Sequence, residues 1–113
     1  MKRIFKDAGG TTTVEWDLHP ATGFTRFRVE GQCRQELVTL VKQALLQQAR
    51  GDMALELREW QGINSMVVGM VLLLHREVVG KGGKFVLIAP PPKLLELLRR
   101  TSPQPSITRW EQL

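Results

Sequence analysis

The sequence has one cysteine, Cys33, two histidines and no tyrosine among its 113 residues. A single cysteine excludes an internal disulfide framework and a cysteine-based zinc cluster, and it fits a reducing compartment. The longest apolar run, residues 66–74 counting Gly69, is well short of the roughly 20 residues that cross a bilayer. No apolar signal segment follows the basic residues at the N-terminus. We therefore expect a soluble, cytoplasmic chain with no membrane insertion.

Groups for catalysis and metal binding are also sparse. His75 is expected to cap a helix face, and His19 beside Pro20 is typical of a turn. Neither forms a nucleophile pattern with Cys33, and the acidic residues do not converge on one segment. Residues 80–84, GKGGK, follow a helical pattern instead of opening one, which predicts a plain turn and not a phosphate loop. We expect no enzymatic activity, no cofactor and no bound metal.

The charge balance is basic, with a formal net charge of +5. Such a balance is compatible with nucleic acid, an anionic membrane or an acidic protein partner. Lysines and arginines are interleaved with glutamates, and no stripe of basic residues with stacking aromatics is present, so direct nucleic-acid binding is disfavoured. A nucleic-acid-associated protein remains the alternative from another class. It would require basic side chains gathered on one face and salt-dependent DNA binding.

Length and hydrophobic patterning predict one domain over residues 1–113, with residues 1–10 as a flexible N-terminus. The hydrophobic content of 42% is sufficient for a core. Polar and apolar residues alternate over 11–18 and 24–30, and a proline-to-glycine turn separates the two runs, which predicts an antiparallel hairpin.

Helical and strand-like periods then alternate along the chain. The order predicts an α/β fold with a mixed sheet, an N-terminal antiparallel hairpin, parallel central strands and helices mainly on one face. The second helix is apolar on all sides over its first nine residues, so it should be the most deeply buried. The predicted elements are a helix at 35–49, a strand at 53–60, a helix at 65–79, a turn at 80–83, a strand at 84–89, a helix at 93–100 and a short strand or helix at 107–110.

The turn from the strand at 53–60 into the buried helix contains Ser65. In the simplest interpretation Asn64 or Ser65 caps the helix by accepting hydrogen bonds from its first free amides. In the alternative interpretation Ser65 is a regulatory serine. A phosphate there would meet the positive end of the helix dipole and add nearly two charges to a surface patch.

The second half of the chain resembles a STAS domain, the fold of anti-sigma-factor antagonists. In that family a strand runs into a turn of aspartate, two serines, glycine, leucine and glycine, and a buried helix, a glycine turn, an apolar strand and a leucine-rich helix follow. Ser65 corresponds to the phosphorylated serine and Gly69 to the later glycine. Asn64, Met66 and Val67 replace the aspartate, the second hydroxyl residue and the first glycine. The matching segments are residues 60–75, 82–92 and 94–101, with a weaker match at 27–31.

The resemblance implies a bacterial regulatory domain that binds a protein partner and is controlled by phosphorylation at Ser65. The implied partner is an anti-sigma factor with serine-kinase activity or, in transporter-associated relatives, a transporter ATPase. The expected partner-binding residues are Asn64, Ser65, Met66 and Val67. The alternative is a constitutive STAS scaffold or transporter-associated subunit without a phospho-switch, in which Met66 and Val67 anchor the partner. The oligomeric state stays open, and a homodimer is one alternative.

Overall fold

In the part of the chain that the structure describes, six strands form one sheet, and their spatial order is the order of the chain. The computed structural model describes residues 2–6, 12–32, 39, 42–43, 45–47, 51–61, 65–101 and 105–108. Residues 39, 42–43 and 45–47 are helical, within the first predicted helix. The strands are β1 (Lys2–Lys6), β2 (Thr12–Leu18), β3 (Thr25–Gln32), β4 (Met53–Gln61), β5 (Phe85–Ile88) and β6 (Ser106–Thr108), and two further helices are α1 (Ser65–Gly80) and α2 (Pro92–Leu98).

The N-terminal half of the sheet is antiparallel, and the predicted hairpin is confirmed as the β2–β3 pair. The turn between these strands is stabilised by His19, whose Nδ1 lies 3.2 Å from the amide nitrogens of both Ala21 and Thr22 and accepts hydrogen bonds from them. Gly23 completes the turn with a φ of 77°, in the left-handed region that glycine adopts without a steric penalty. The hairpin therefore follows from local chemistry.

The C-terminal half of the sheet is parallel. β3 pairs with β4, β4 with β5 and β5 with β6, all in parallel orientation. Met53, Ala54 and Leu55 of β4 lie opposite Phe85, Val86 and Leu87 of β5, respectively. The prediction of parallel central strands is therefore confirmed, and the helical segments provide the crossover connections that parallel strands require.

The helices cover one face of the sheet and enclose the main core. Alternate residues of each strand, such as Phe27, Val29 and Leu55, point into this core because strand side chains alternate between faces. The main core consists of Val14, Phe27, Val29, Leu45, Met53, Leu55, Leu57, Val67, Val68, Met70, Val71, Leu74, Val78, Phe85, Leu87, Leu94 and Leu98. A smaller cluster of Phe24, Ala54, Val86 and Ile88 lies apart from it.

Charged side chains of β2, β3 and β4 form an ion-pair network around Arg26. Arg26 donates to both carboxylate oxygens of Asp17, at 2.9 and 2.7 Å, and its Nη1 lies 3.4 Å from Glu56 Oε1. The hydrogen bond to Asp17 raises the pKa of Arg26 above its ordinary value; burial opposes this rise, and the charges of Asp17 and Glu56 add to it. Arg28 Nε lies 3.3 Å from Glu56 Oε2, close enough for an ion pair but not aligned as a hydrogen bond.

The two edge strands of the sheet, β1 and β6, were not assigned as strands from the sequence. Lys2–Lys6, within the segment expected to be a flexible N-terminus, forms the edge strand β1, which pairs with β2. The pairing with β2 is local, from Lys6 opposite Thr13 to Lys2 opposite Trp16, but the adjacent apolar residues Ile4 and Phe5 break the alternation that predicts a strand. At the other edge, Ser106–Thr108 is a strand, which decides between the two alternatives left for the last element.

Candidate functional site

Both α1 and α2 begin at the same edge of the sheet. α1 follows the carboxyl end of β4, and α2 follows the carboxyl end of β5. Because β4 and β5 are parallel, their carboxyl ends lie on one side of the molecule, and so do the first turns of the two helices. The carboxyl edge of the parallel strands is therefore where residues from separate loops meet.

Ser65 is the first residue of α1, and it is exposed. The first turn of α1 contains no acidic residue. The free amides of a helix N-terminus carry a partial positive charge, and a long helix such as α1, with 16 residues, presents that charge at Ser65. A phosphate on the Ser65 hydroxyl would lie close to these amides and would be compatible with the fold.

The structure separates the other predicted site residues from one another. Met66 is 36% exposed and lies on the surface beside Ser65. Val67 is completely buried in the main core, so the prediction that it contributes to a partner-binding surface is wrong. Successive helical residues are rotated by about 100°, and this rotation turns Val67 inward when Ser65 and Met66 face outward. Asn64, the fourth predicted residue, lies outside the described residues.

The outer side of α1 is partly apolar, a feature that the sequence analysis missed. Leu18, Met66, Val79 and Ile107 are the exposed large apolar side chains of the described residues, and Met66 and Val79 both belong to α1. Gly69 and Arg76 are exposed between them. The sequence of α1 is apolar at nearly every position, so its exposed side was not recognised. The spacing of Gly69 and Arg76, seven residues or two helical turns, places both on one side of the helix and could have indicated it.

The basic side chains of residues 65–101 are all exposed, and they outnumber the acidic ones by six to two. Among the acidic residues, Glu96 is exposed and Glu77 is half-buried. Residues 65–101, which contain α1 and α2, therefore present an excess of positive charge at the surface. The six basic residues are Arg76, Lys81, Lys84, Lys93, Arg99 and Arg100.

The histidines and the glycine-rich turn have structural roles. His75 is half-buried, and its ring centroid lies 5.6 Å from that of Phe85. The turn after α1 closes the helix by backbone hydrogen bonds, with the Gly83 amide donating to the Val78 carbonyl at 2.9 Å. It lies at the amino end of β5, away from Ser65. No group of three His, Cys, Asp or Glu side chains suitable for a metal ion is found among the described residues.

The fold is similar to that of a solved protein, although sequence comparison finds no relative. No family model matches the chain, and no curated protein matches it. The solved structure of the anti-sigma factor antagonist SpoIIAA in its unphosphorylated form is similar with a TM-score of 0.64. The similarity covers 84% of this chain and 86% of that chain, at 18% sequence identity. The chain therefore has a STAS-like fold, as the motifs around Ser65 predicted. Within the described part of the chain, no helix is long and apolar enough to cross a membrane.

Proposed function

We propose that this chain is a non-catalytic, cytoplasmic protein-binding domain that acts like an anti-sigma-factor antagonist and is regulated by phosphorylation of Ser65. The proposal rests on one observation above all: Ser65 is exposed at the first residue of the helix α1, within a STAS-like fold. The partner-binding surface consists of Ser65, Met66 and the preceding residue Asn64. The partner would be an anti-sigma factor with serine-kinase activity or a transporter ATPase.

Phosphorylation of Ser65 would change binding without unfolding the domain. The added phosphate gains on the order of 1 kcal/mol from the α1 dipole, so the free energy of unfolding should hardly change. In a desolvated interface the same doubly charged group would be poorly compensated, and burying it would cost several kcal/mol. The modification would therefore release the partner while leaving the fold intact.

A constitutive scaffold with the same fold is the second candidate function. It is favoured by Met66, an apolar side chain 36% exposed directly beside Ser65, because such a side chain can anchor a partner without any modification. In this case the charge state of Ser65 would be irrelevant to binding.

The experiment compares Ser65→Asp and Ser65→Ala with the wild type. The partner is first identified by cross-linking from a photoreactive residue at position 66, and its dissociation constant is then measured with purified proteins. We expect Ser65→Asp to weaken binding at least about tenfold, or roughly 1.4 kcal/mol, and Ser65→Ala to bind as the wild type does. Ser106→Asp adds the same charge on the edge strand β6, where Ser106 is also exposed, and is the matched control.

Thermal unfolding of the same variants distinguishes a switch from a folding defect. Ser65→Asp should unfold at nearly the wild-type temperature, and Ser65→Ala should lose at most about 1 kcal/mol as a capping group. If Ser65→Asp binds the partner as tightly as the wild type, the phospho-switch is refuted and the constitutive scaffold is the better description.

A further inference from the structure

The outer face of α1 combines exposed apolar groups with a central cation. We define this face by Met66, Gly69, Leu72, Leu73, Arg76 and Val79. Met66 and Val79 expose 36% and 51% of their surface, Leu72 and Leu73 are half-buried, and Gly69 and Arg76 are exposed. At about 100° per residue, Gly69 and Arg76 lie along the middle of the face, with an apolar residue on either side.

Within the described part of the chain, no contact requires glycine at position 69. Its backbone does not have a positive φ, and a Cβ atom built on it would meet nothing within 4 Å. Glycine is the poorest helix former after proline, so the second turn of a 16-residue helix is an unfavourable place for it. A glycine that the fold does not require, on an exposed helix face, permits another backbone to approach closely.

The positive charge of residues 65–101 favours some binding partners for the outer face of α1 over others. Arg76 lies on its midline, and residues 65–101 contain five further exposed basic residues against two acidic ones, which gives this part of the molecule an excess of positive charge. A second copy of α1 would bring the same positive surface against itself, which is repulsive. Nucleic acid would be drawn to the charge but would leave Met66 and Val79 without apolar contacts.

We propose that the outer face of α1 binds an acidic, amphipathic helix of the partner protein, which lies across α1 with its closest approach at Gly69 and an acidic side chain paired with Arg76. This proposal rests on the protein-binding function proposed above and specifies the chemistry of the partner. Apolar residues of the partner helix pack against Met66, Leu73 and Val79, in the manner of a helix bound in a hydrophobic groove.

The probe is a stapled helical peptide of about 18 residues, or five turns, with leucine and alanine on one face and glutamate on its flanks. A matched peptide has lysine in place of each glutamate. Binding is measured by fluorescence anisotropy, and its location by the NMR signals of the Met66 methyl group and the Gly69 amide. We expect the acidic peptide to bind at least tenfold more tightly than the basic one and to shift both signals.

Two pairs of variants test the geometry. Arg76→Glu should weaken binding of the acidic peptide at least tenfold, whereas Lys84→Glu, with the same charge change at the amino end of β5, should leave it within twofold. Gly69→Leu should weaken it at least tenfold, whereas Ala21→Leu, in the exposed β2–β3 turn, should not. Gly69→Leu has open space for its side chain, so circular dichroism should verify that it folds.

Several results would overturn the proposal. Equal binding of the two peptides, or signal shifts away from α1, would refute the acidic-helix partner. Dimerisation that Gly69→Leu abolishes would assign the face to a second copy. Binding to vesicles of phosphatidylserine and phosphatidylcholine that is lost in Arg76→Glu and Gly69→Leu would assign the face to a lipid. Salt-dependent binding to duplex DNA that is lost in the same two variants would assign it to nucleic acid. If the acidic peptide fails to bind while Ser65→Asp still releases the identified partner, this inference fails and the proposed function stands.

Discussion

Met66 and Val67 are adjacent in the first turn of α1, but Met66 exposes 36% of its surface and Val67 exposes none. The two side chains leave the helix about 100° apart, so one contributes to the surface beside Ser65 and the other to the main core. The boundary between surface and core therefore passes between two residues that look equivalent in the sequence.

Alanine at position 67 should lower the stability of the domain, whereas alanine at position 66 should weaken partner binding. Val67→Ala removes two buried methyl groups and leaves a cavity, so it should lower the free energy of unfolding by about 2 kcal/mol. Met66→Ala removes a partly exposed side chain and should change it by less than about 0.5 kcal/mol, while weakening partner binding. Urea unfolding measures the stabilities. Equal losses in the two variants would contradict this division of α1.

Glu56→Gln should destabilise the sheet by about 1–3 kcal/mol. Glu56 pairs with both Arg26 and Arg28, and its side chain is only 16% exposed, so the neutral amide leaves two poorly solvated cations with less compensation. Glu96→Gln, on the exposed side of α2, makes the same chemical change and should cost less than about 0.5 kcal/mol. Urea unfolding of both variants tests the network; similar small losses would mean that it contributes little.

Alanine should have opposite effects at two glycines. A Cβ on Gly83 would lie 2.6 Å from the carbonyl oxygen of Gly51, and because that atom is backbone it cannot move aside easily. Gly83→Ala should therefore cost about 1–3 kcal/mol of stability. Gly69→Ala meets no atom within 4 Å and should gain up to about 1 kcal/mol through its better helix propensity. Thermal unfolding checks both, and a loss at Gly69→Ala would mean that the fold does require this glycine.

Ala89→Gly should stabilise the protein slightly. Ala89 follows β5 with a φ of 40°, in the left-handed region that costs a residue with a Cβ roughly 1–2 kcal/mol. Glycine removes that cost but adds freedom to the unfolded chain, so a net gain below about 1 kcal/mol is expected. Ala21→Gly, at a position without a positive φ, should instead lose stability. Relative to the wild type, the free energy of unfolding should therefore rise in Ala89→Gly and fall in Ala21→Gly.

Local pattern predicted most of the fold. The alternation of Val14 and Trp16 with Glu15 predicted β2, and the change from a period of two to a helical period predicted that a helix follows β4. The helix was expected at residues 65–79, and α1 spans Ser65–Gly80. These predictions succeed because side-chain periodicity and turn chemistry are properties of the neighbouring residues. The β1 strand escaped prediction because Ile4 and Phe5 are adjacent apolar residues, so Lys2–Lys6 lacks the strict alternation by which β2 was recognised.

The sequence predicted where the candidate site lies but not which of its side chains are exposed. The motif at residues 63–69 predicted an exposed serine at a helix start, and Ser65 is exposed there. It also assigned Val67 to the surface, which is wrong. In a helix that is apolar on nearly all sides, the apolar residues alone do not indicate which side faces the sheet, and only the spacing of Gly69 and Arg76 marks the outer side.

The sequence by itself determined the α/β class, the hairpin, the parallel central strands and the place where Ser65 enters a helix, because each of these depends on local periodicity and turn residues. The tertiary structure alone decided which side of α1 is covered. Packing against the sheet buries Val67 and Leu74 and leaves Met66, Gly69 and Arg76 outside. That choice depends on the rotation of α1 about its own axis, and the fit of its side chains against residues distant in the chain sets this rotation.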